Sequence, residues 1–474
     1  MTRVRICAQH PGSIVRHHGF ENFPQGTSPH TTAPLDYLIL VPGLLLRTIT
    51  AQPIDLAGAI ISPLLALATG WFLWWWSRRM KLRYRWAALL LFALSPILVH
   101  GTELGRPDHQ SLLMLLIALG ICAEWSLRVA PSRSWSLTSG FAWGLALWVS
   151  FYEPVILILV IAGFYLICDR QQFTTRSRRI GWIVFAGILS MALLVERRLP
   201  RFPTLGSDTI FQNWSHTIGE LMPVSAIDPI WFRWFGWLLV VMPLLLWFAT
   251  HKRFVGATGR RALPMVGTLL VVCYLLTLWQ ARWAYFFGVI FVIALPTFLE
   301  SFKYRMLAWI VFAFSLFPIL QEWDARLWPN ESELARHAQA REEEMEWRAL
   351  AMQIRSRQTE AFLAPWWLSP AIAYWSEQPG MAGSSHESLP GIAESARFCL
   401  TSDPRIAQSI LQRHRIGWVF VYDSDRTLEI SAAILNAPIP SDAIGRILDR
   451  NPSRAPHFLR LKSQTGSGKL YSIN

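Results

Sequence analysis

Long apolar stretches alternate with short polar loops over the first two thirds of the chain. Stretches such as Trp86–Leu98, Val155–Cys168 and Leu263–Leu278 contain almost no charged residue. A helix needs roughly 20 residues to cross the apolar core of a bilayer. With their flanking residues several stretches reach that length, and the pattern predicts about ten membrane-spanning helices. They cover residues 54–77, 84–101, 109–128, 135–151, 152–169, 180–196, 230–250, 263–280, 283–300 and 304–321.

The last third of the chain has a different pattern. Residues 322–359 are rich in charge and have helical spacing, which is typical of a solvated linker helix. From residue 360 to residue 474, short apolar segments alternate with turn signals. Trp418–Tyr422 has the composition of a buried strand and Pro404–His414 that of a helix. The predicted fold class is therefore a polytopic α-helical membrane protein with a C-terminal soluble α/β domain.

Residues 1–53 precede the first predicted span and are mostly polar. Within them, Thr31–Thr50 is apolar but interrupted by two prolines and by Arg47, so we expect an interfacial helix there rather than a span. The predicted organisation is a first outer loop (1–53), a transmembrane domain (54–321), a helical linker (322–359) and a soluble domain (360–474).

Arginine and lysine are concentrated in alternate loops between the predicted spans. These basic loops lie at 78–85, 128–133, 170–179, 252–261 and 303–305. Because basic loops stay on the cytoplasmic side, the pattern puts both the N-terminal segment and the C-terminal domain outside. An outer N-terminus needs a segment that carries it across the membrane, so we expect a further helix upstream of Met1.

Composition agrees with a membrane protein, since 53% of the residues are hydrophobic and only 16% are charged. The net charge of +13 would suit nucleic acid, but the basic residues lie in short loops between apolar stretches and not in a patch on a soluble domain. The 25 tryptophans fit the interface between water and lipid. We therefore expect membrane lipid, and no nucleic acid, among the partners.

Three polar segments lie on the predicted outer face, where they can converge on one site. They are Glu103–Gln110, Thr217–Glu220 and Gln280–Trp283. Charges near a membrane are costly and are functional candidates by default. Asp108 and Glu220 are oxygen ligands that suit Mg²⁺ or Mn²⁺, and Arg282 offers a guanidinium that suits phosphate. The alternative is that these acid and arginine residues only cap helices or anchor loops.

At these residues the sequence resembles the catalytic subunit of oligosaccharyltransferase in its archaeal and bacterial branches, which have the GT-C glycosyltransferase fold. Asn22–Gly26 and Ala33–Tyr37 resemble the first outer loop of that family. Gly105-Arg-Pro-Asp-His-Gln110 resembles its Gly-Arg-x-Asp-His-His segment, and Thr217-Ile-Gly-Glu220 its Thr-Ile-x-Glu motif. Ala364-Pro-Trp-Trp-Leu-Ser369 stands where its Trp-Trp-Asp-Tyr-Gly block opens the soluble domain.

The resemblance implies a role for each matching residue. Asp108, Glu220 and Gln110 would bind a divalent cation, Mg²⁺ or Mn²⁺. The substrate-binding residues would be Arg282, Arg106, His109, Trp366 and Trp367, with Arg282 on the donor pyrophosphate and the two tryptophans at the acceptor. Asp108, Glu220 and Arg282 would form the catalytic group.

The sequence departs from the family pattern at three places. No acid precedes the Arg-containing stretch Met1–Arg5, where the family has its first metal ligand, and Gln110 replaces a histidine. Leu368-Ser369-Pro370 replaces the Asp-Tyr-Gly that would bind the hydroxyl of an Asn-x-Ser/Thr acceptor. These departures disfavour asparagine as the acceptor.

The expected function is a glycosyltransferase of the bacterial inner membrane with a periplasmic C-terminal domain. It would move a glycan from a polyprenyl-(pyro)phosphate donor to a protein, lipid or polysaccharide acceptor on the outer side. Two alternatives stay open: a GT-C transferase that modifies a lipid or polysaccharide, and a degenerate membrane protein without catalytic activity. A transporter is disfavoured because the sequence shows no internal repeat.

Overall fold

The structure is a computed structural model that describes residues 1–29, 33–173, 175–198, 209–251 and 257–474. The chain forms two compact units. The first, called the helical unit here, comprises Thr31–Pro200 and Glu220–Pro329. The second, called the mixed unit, comprises Met1–His30, Arg201–Gly219 and Asn330–Asn474. Each unit is assembled from segments that are far apart in sequence.

Helices dominate the chain up to residue 353. They are α1 (Thr2–Gln9), α2 (Ala33–Leu45), α3 (Pro53–Arg79), α4 (Arg85–Leu94), α5 (Pro96–His100), α6 (His109–Val129), α7 (Arg133–Val149), α8 (Tyr152–Cys168), α9 (Arg170–Phe173), α10 (Arg176–Glu196), α11 (Thr209–Ser215), α12 (Ile230–Phe235), α13 (Leu238–His251), α14 (Ala257–Trp279), α15 (Trp283–Leu299), α16 (Arg305–Ser315), α17 (Phe317–Leu327) and α18 (Glu331–Gln353). The remaining elements are β1 (Ala361–Leu363), α19 (Ser369–Ser376), α20 (Leu389–Leu400), α21 (Pro404–Arg413), β2 (Ile416–Tyr422), α22 (Ser424–Leu435), α23 (Ile444–Arg450), β3 (Leu459–Gln464) and β4 (Gly468–Ile473).

Every predicted span coincides with one or two helices of the helical unit. Among the described residues, α3, α6, α10 and the Arg261–Trp279 part of α14 are long and apolar enough to cross a membrane. The pair α16 and α17, bent by 40°, would make a fifth. Four further helices are apolar but have 10–17 residues. The count of about ten crossings stays a prediction, and residues 252–256 of one basic loop lie outside the described residues.

Three predicted spans are interrupted where the sequence pattern suggests one continuous helix. Residues 84–101 break between α4 and α5, because Pro96 lacks the N–H that a continuous helix needs. Residues 230–250 break at Gly236, which has a φ of 76°. There the N–H groups of Trp237 and Leu238 donate to the carbonyl oxygen and Oγ of Ser315. The third interruption is the bend between α16 and α17.

Helix α15 is the centre of the helical unit. All of its residues from Trp283 to Leu299 are buried. A helix that is apolar on every side is stable only when other helices surround it. The N-terminal end of this helix, next to Arg282, therefore has a fixed position in the packed bundle.

A four-stranded sheet with the order β1-β2-β4-β3 lies in the mixed unit. Strand β1 pairs parallel with β2, and the other pairs are antiparallel. The predicted strand at Trp418–Tyr422 lies within β2 and the predicted helix at Pro404–His414 corresponds to α21, so the predicted mixture of helices and strands near the C-terminus is confirmed. The N-terminal segment joins this domain, since Phe23 N–H donates to Gly380 O and Gly380 N–H donates to Phe20 O.

Candidate active site

The loop between α5 and α6 is held against α3 by two hydrogen bonds. Gly105 N–H donates to Ala59 O at 2.9 Å, and Ser62 Oγ donates to Arg106 O at 2.6 Å. Gly105 has a φ of 84°, a conformation that side chains disfavour, which explains a glycine at this turn. The loop is thus a rigid support for the polar residues that follow it.

Asp108 begins α6 as its N-cap residue. Its Oδ1 accepts from Gln110 N–H at 3.2 Å and lies 2.8 Å from His109 Nδ1. Burial alone would raise the pKa of the Asp108 carboxyl, but His109, the Gln110 N–H and Arg106 together lower this pKa below its ordinary value. Asp108 is therefore an ionised carboxylate at neutral pH, while it also has the capping role that was the alternative interpretation.

Arg106 brings Asp108 and Glu220 together. Its Nη2 lies 3.6 Å from Asp108 Oδ2 and forms an ion pair with Glu220 Oε1. Burial would lower the pKa of Arg106, whereas Tyr285, Glu220 and Asp108 raise it above its ordinary value. The two acidic residues, 112 positions apart in the numbering, thus face one positive group.

Arg282 lies beside Glu220 through the backbone. Its N–H donates to Glu220 O at 2.8 Å, and Ala281 N–H donates to Met222 O at 2.9 Å. The guanidinium of Arg282 forms an ion pair with Glu153, whose side chain is completely buried at the start of α8. Burial would lower the pKa of Arg282, but Glu153, Glu220 and Asp108 raise it. Arg282 is therefore a fixed positive charge near the carboxylates of Asp108 and Glu220.

Sequence reasoning missed Glu153, Tyr285 and His100. Tyr285 Oη lies 2.8 Å from His100 Nδ1, and the planes of the two rings are nearly parallel, with an interplanar angle of 4°. Arg106 Nη1 lies 2.5 Å from His100 Nε2, which links this pair to the acidic residues. Glu153 could have been identified from the sequence, because it is a single acid in the apolar stretch of α8. The other two are ordinary residues of apolar helices and gave no signal.

The charged side chains of this cluster pair with one another. Asp108, Glu220 and Glu153 face the guanidiniums of Arg106 and Arg282 and the imidazole of His109. The side chain of Gln110 is buried, and neither polar atom has a hydrogen-bond partner among the described residues.

Over the same described part of the chain, no group of three or more His, Cys, Asp or Glu side chains could hold a metal ion alone. Mg²⁺ typically uses one or two carboxylates and completes its shell with water and substrate phosphates. Asp108 and Glu220, which both face Arg106, are two carboxylates of this kind.

Trp366 and Trp367 lie in the mixed unit. The rings of Trp366 and Trp214 are 5.7 Å apart, and the Arg426 guanidinium lies 5.2 Å from the Trp367 ring. Both indole N–H groups are buried without a hydrogen-bond partner among the residues described. Ser369 Oγ donates to the carbonyl oxygens of Ala364 and Pro365 at 3.4 and 3.2 Å, so this hydroxyl is already bound to the turn that precedes α19.

No protein-family model and no curated protein sequence matches the chain. Solved structures do. The oligosaccharyltransferase AglB from Archaeoglobus fulgidus, in complex with an inhibitory peptide and a dolichol-phosphate, matches with a TM-score of 0.62 and 14% identity over 89% of this chain and 64% of that one. The A. fulgidus enzyme in complex with Zn and sulfate matches with a TM-score of 0.67 and 11% identity over 97% of this chain and 73% of that one.

A bacterial protein also matches. ArnT from Cupriavidus metallidurans bound to undecaprenyl phosphate gives a TM-score of 0.58 at 13% identity, covering 94% of this chain and 88% of that one. The chain spans slightly less than two thirds of the length of the first archaeal structures it matches. Its apolar helices and these neighbours indicate a membrane protein. The chain has the GT-C fold, which it shares with the glycosyltransferases AglB and ArnT.

Proposed function

We propose that this protein transfers a sugar or glycan from a polyprenyl-(pyro)phosphate donor to an acceptor on the outer face of the bacterial inner membrane. The observation that carries the proposal is the convergence of Asp108 and Glu220 on Arg106, with Arg282 anchored beside Glu220. Structural neighbours bound to dolichol-phosphate or undecaprenyl phosphate support a polyprenyl-linked donor. The topology with an outer C-terminal domain belongs to this proposal.

The reaction breaks the bond between the anomeric carbon and the phosphate oxygen while the acceptor nucleophile attacks that carbon. The bonding electrons go to the leaving phosphate, so negative charge develops there, and the acceptor group releases its proton as the new bond forms. In this proposal Arg282 binds this phosphate, and its ion pair with Glu153 orients the guanidinium. In this proposal Arg106 and His109 contact the donor as well.

Asp108, Glu220 and the amide oxygen of Gln110 are the residues that would hold Mg²⁺ or Mn²⁺. When bound, the cation would add positive charge for the leaving phosphate. The donor brings further negative charge to a cluster in which Asp108, Glu220 and Glu153 already pair with Arg106, Arg282 and His109. A bound cation would supply positive charge that is not already paired with a carboxylate.

The acceptor would be bound by Trp366, Trp367 and the segment that follows them. Trp366 and Trp367 offer two buried indole N–H donors for an acceptor group, in keeping with their assigned role. The Leu368 side chain has no hydrogen-bonding group, and the Ser369 hydroxyl is bound to the turn that precedes α19. A lipid or polysaccharide acceptor is therefore the second candidate beside a protein, and this segment favours it.

The test is donor turnover by the purified full-length protein, with a polyprenyl-pyrophosphate oligosaccharide and added Mn²⁺ or Mg²⁺. We expect Asp108→Asn and Glu220→Gln to lower the rate by about 100-fold or more, and EDTA to do the same reversibly. The matched control is Glu103→Gln, an exposed acid in the same loop. Full activity in both site variants would contradict the assignment.

The acceptor and the non-catalytic alternative need a second experiment. Glycans on membrane lipids, polysaccharides and secreted proteins are compared between wild-type and deletion strains of the source bacterium. Loss of glycan from one class identifies the acceptor. No difference in any class, together with no donor turnover in vitro, would favour the degenerate membrane protein.

A further inference from the structure

A groove separate from the candidate active site lies in the helical unit between α6, α7, α8, α9 and α10. Partly exposed residues of α8 and α10 form its lips, including Ile158, Ala162 and Trp182. Leu159 and Ile183, next to the lips, are 63% and 70% exposed. The groove therefore opens on an apolar surface of the kind that lipid chains cover.

Polar groups at the floor of the groove bind one another. Glu124 accepts from Ser139 Oγ at 2.5 Å and from Tyr165 Oη at 2.9 Å. Arg178 donates to both oxygens of Glu124, at 3.2 and 2.5 Å. Because the buried charges are already paired, the floor does not need a polar ligand. The groove thus suits an apolar chain.

Exposed arginines surround one end of the groove. They are Arg133, Arg170, Arg176 and Arg179. Each lies within three positions of a lining residue, Ser136, Phe173 or Arg178, which is less than one helical turn. The acids at this end, Glu124 and Asp169, are paired with Arg178 and Arg128. The rim therefore has a positive charge that no described acid balances.

Close packing keeps the beginnings of α7 and α10 at the same end of the unit. Gly181 N–H donates to Ser136 Oγ at 3.2 Å, and a Cβ on Gly140 would lie 2.1 Å from Gly181 O. Only small residues allow two helices to approach so closely. Arg133 and Arg176, the first residues of the two helices, are thus brought to one edge of the groove.

We propose that this groove binds an anionic phospholipid, with one acyl chain between α8 and α10 and the phosphate among the four exposed arginines. Apolar lining and a basic rim match the two parts of such a molecule, and basic pockets between membrane helices bind anionic headgroups. The predicted orientation puts this end on the cytoplasmic side, where anionic lipid is attracted to basic loops. The proposal does not depend on the transferase function.

The experiment measures lipid binding to the purified full-length protein by native mass spectrometry, with phosphatidylglycerol and phosphatidylcholine of identical chains. One variant neutralises the rim: Arg133→Gln, Arg170→Gln, Arg176→Gln and Arg179→Gln together. Ala162→Phe fills the groove and leaves the rim unchanged. The matched control removes the same charge from exposed positions of the mixed unit: Arg336→Gln, Arg341→Gln, Arg348→Gln and Arg357→Gln.

We expect the wild type and the control to bind phosphatidylglycerol about tenfold or more tightly than phosphatidylcholine, since the basic rim attracts an anionic headgroup more strongly than a zwitterionic one. The rim variant should lose this preference, and Ala162→Phe should lose binding of both lipids at this site. The proposal is overturned if the rim variant keeps the preference, or if Ala162→Phe binds like the wild type. Displacement of phosphatidylglycerol by equimolar undecaprenyl phosphate would identify a donor-chain site instead and would also overturn it.

Discussion

Replacing Arg282 by methionine separates two explanations of this residue, a structural ion pair and a contact with the donor. Arg282 pairs with Glu153, whose side chain is completely buried and also accepts from Ser150 Oγ at 2.6 Å. Methionine has a similar length and no charge. Arg282→Met therefore leaves the Glu153 carboxylate buried without its cation.

The expected loss of stability in Arg282→Met follows from the burial of the ion pair between Arg282 and Glu153. Removal of one partner of a buried ion pair costs about 3–5 kcal/mol, whereas replacement of both partners by neutral groups of similar volume is close to neutral. Since the Arg282 side chain is 20% exposed, we expect a loss near the lower limit, about 3 kcal/mol, for Arg282→Met. The double variant Arg282→Met/Glu153→Gln should recover most of it, because the glutamine can still accept from Ser150.

The assay combines thermal unfolding in detergent with donor turnover. Arg282→Met should lose both stability and activity. In the double variant stability should return, while turnover should stay about 100-fold or more below that of the wild type, because the phosphate has lost a positive charge. Wild-type turnover in the restored double variant would refute a donor contact and leave Arg282 as a structural residue.

Two further predictions concern stability. Burial, together with the charge of Arg3, lowers the pKa of His18 from 6.5 to about 3. Between these two pH values the unfolded chain binds more protons than the folded chain, so the free energy of unfolding decreases as pH falls from 6.5 towards 3. His18→Gln should make the free energy of unfolding less dependent on pH in this range. The control is His10→Gln at an exposed position, which should not have this effect. Gly140→Ala should lower the free energy of unfolding by about 1–3 kcal/mol, because the added Cβ would lie 2.1 Å from Gly181 O. The control is Gly187→Ala, whose added Cβ has no described atom within 4 Å. This control should not lower the unfolding temperature.

Apolar runs were sufficient to predict the helices, but not where helices break. Pro243, Pro264 and Pro296 lie inside continuous helices, whereas Pro96 begins a new one. All four lie in apolar stretches, and only Pro96 follows a serine, the N-cap residue Ser95, a helix-start signal that the pattern of apolar runs does not contain. Neighbouring helices decide whether the freed backbone groups find other partners, so the outcome depends on packing that a local pattern does not contain.

The candidate site shows the same division between local and distant information. Asp108 as a helix cap could be predicted from residues next to it, because the partners are Gln110 and His109. The pairing of Arg282 with Glu153 joins the beginnings of α15 and α8. That contact depends on how the two helices pack, and the polarity of either segment alone does not predict it.

Arg106 shows why the contacts matter for mechanism and not only for geometry. The sequence suggested a substrate-binding arginine, whereas the structure places its guanidinium against Asp108 and Glu220. A cation held by these two carboxylates would compete with Arg106 for the same oxygens, and the released guanidinium would be available to a donor phosphate. Cation binding and donor binding in the proposed reaction are therefore coupled, and by linkage each should strengthen the other. Arg106→Gln should remove this coupling, so that the affinity for Mn²⁺ no longer changes when donor is added.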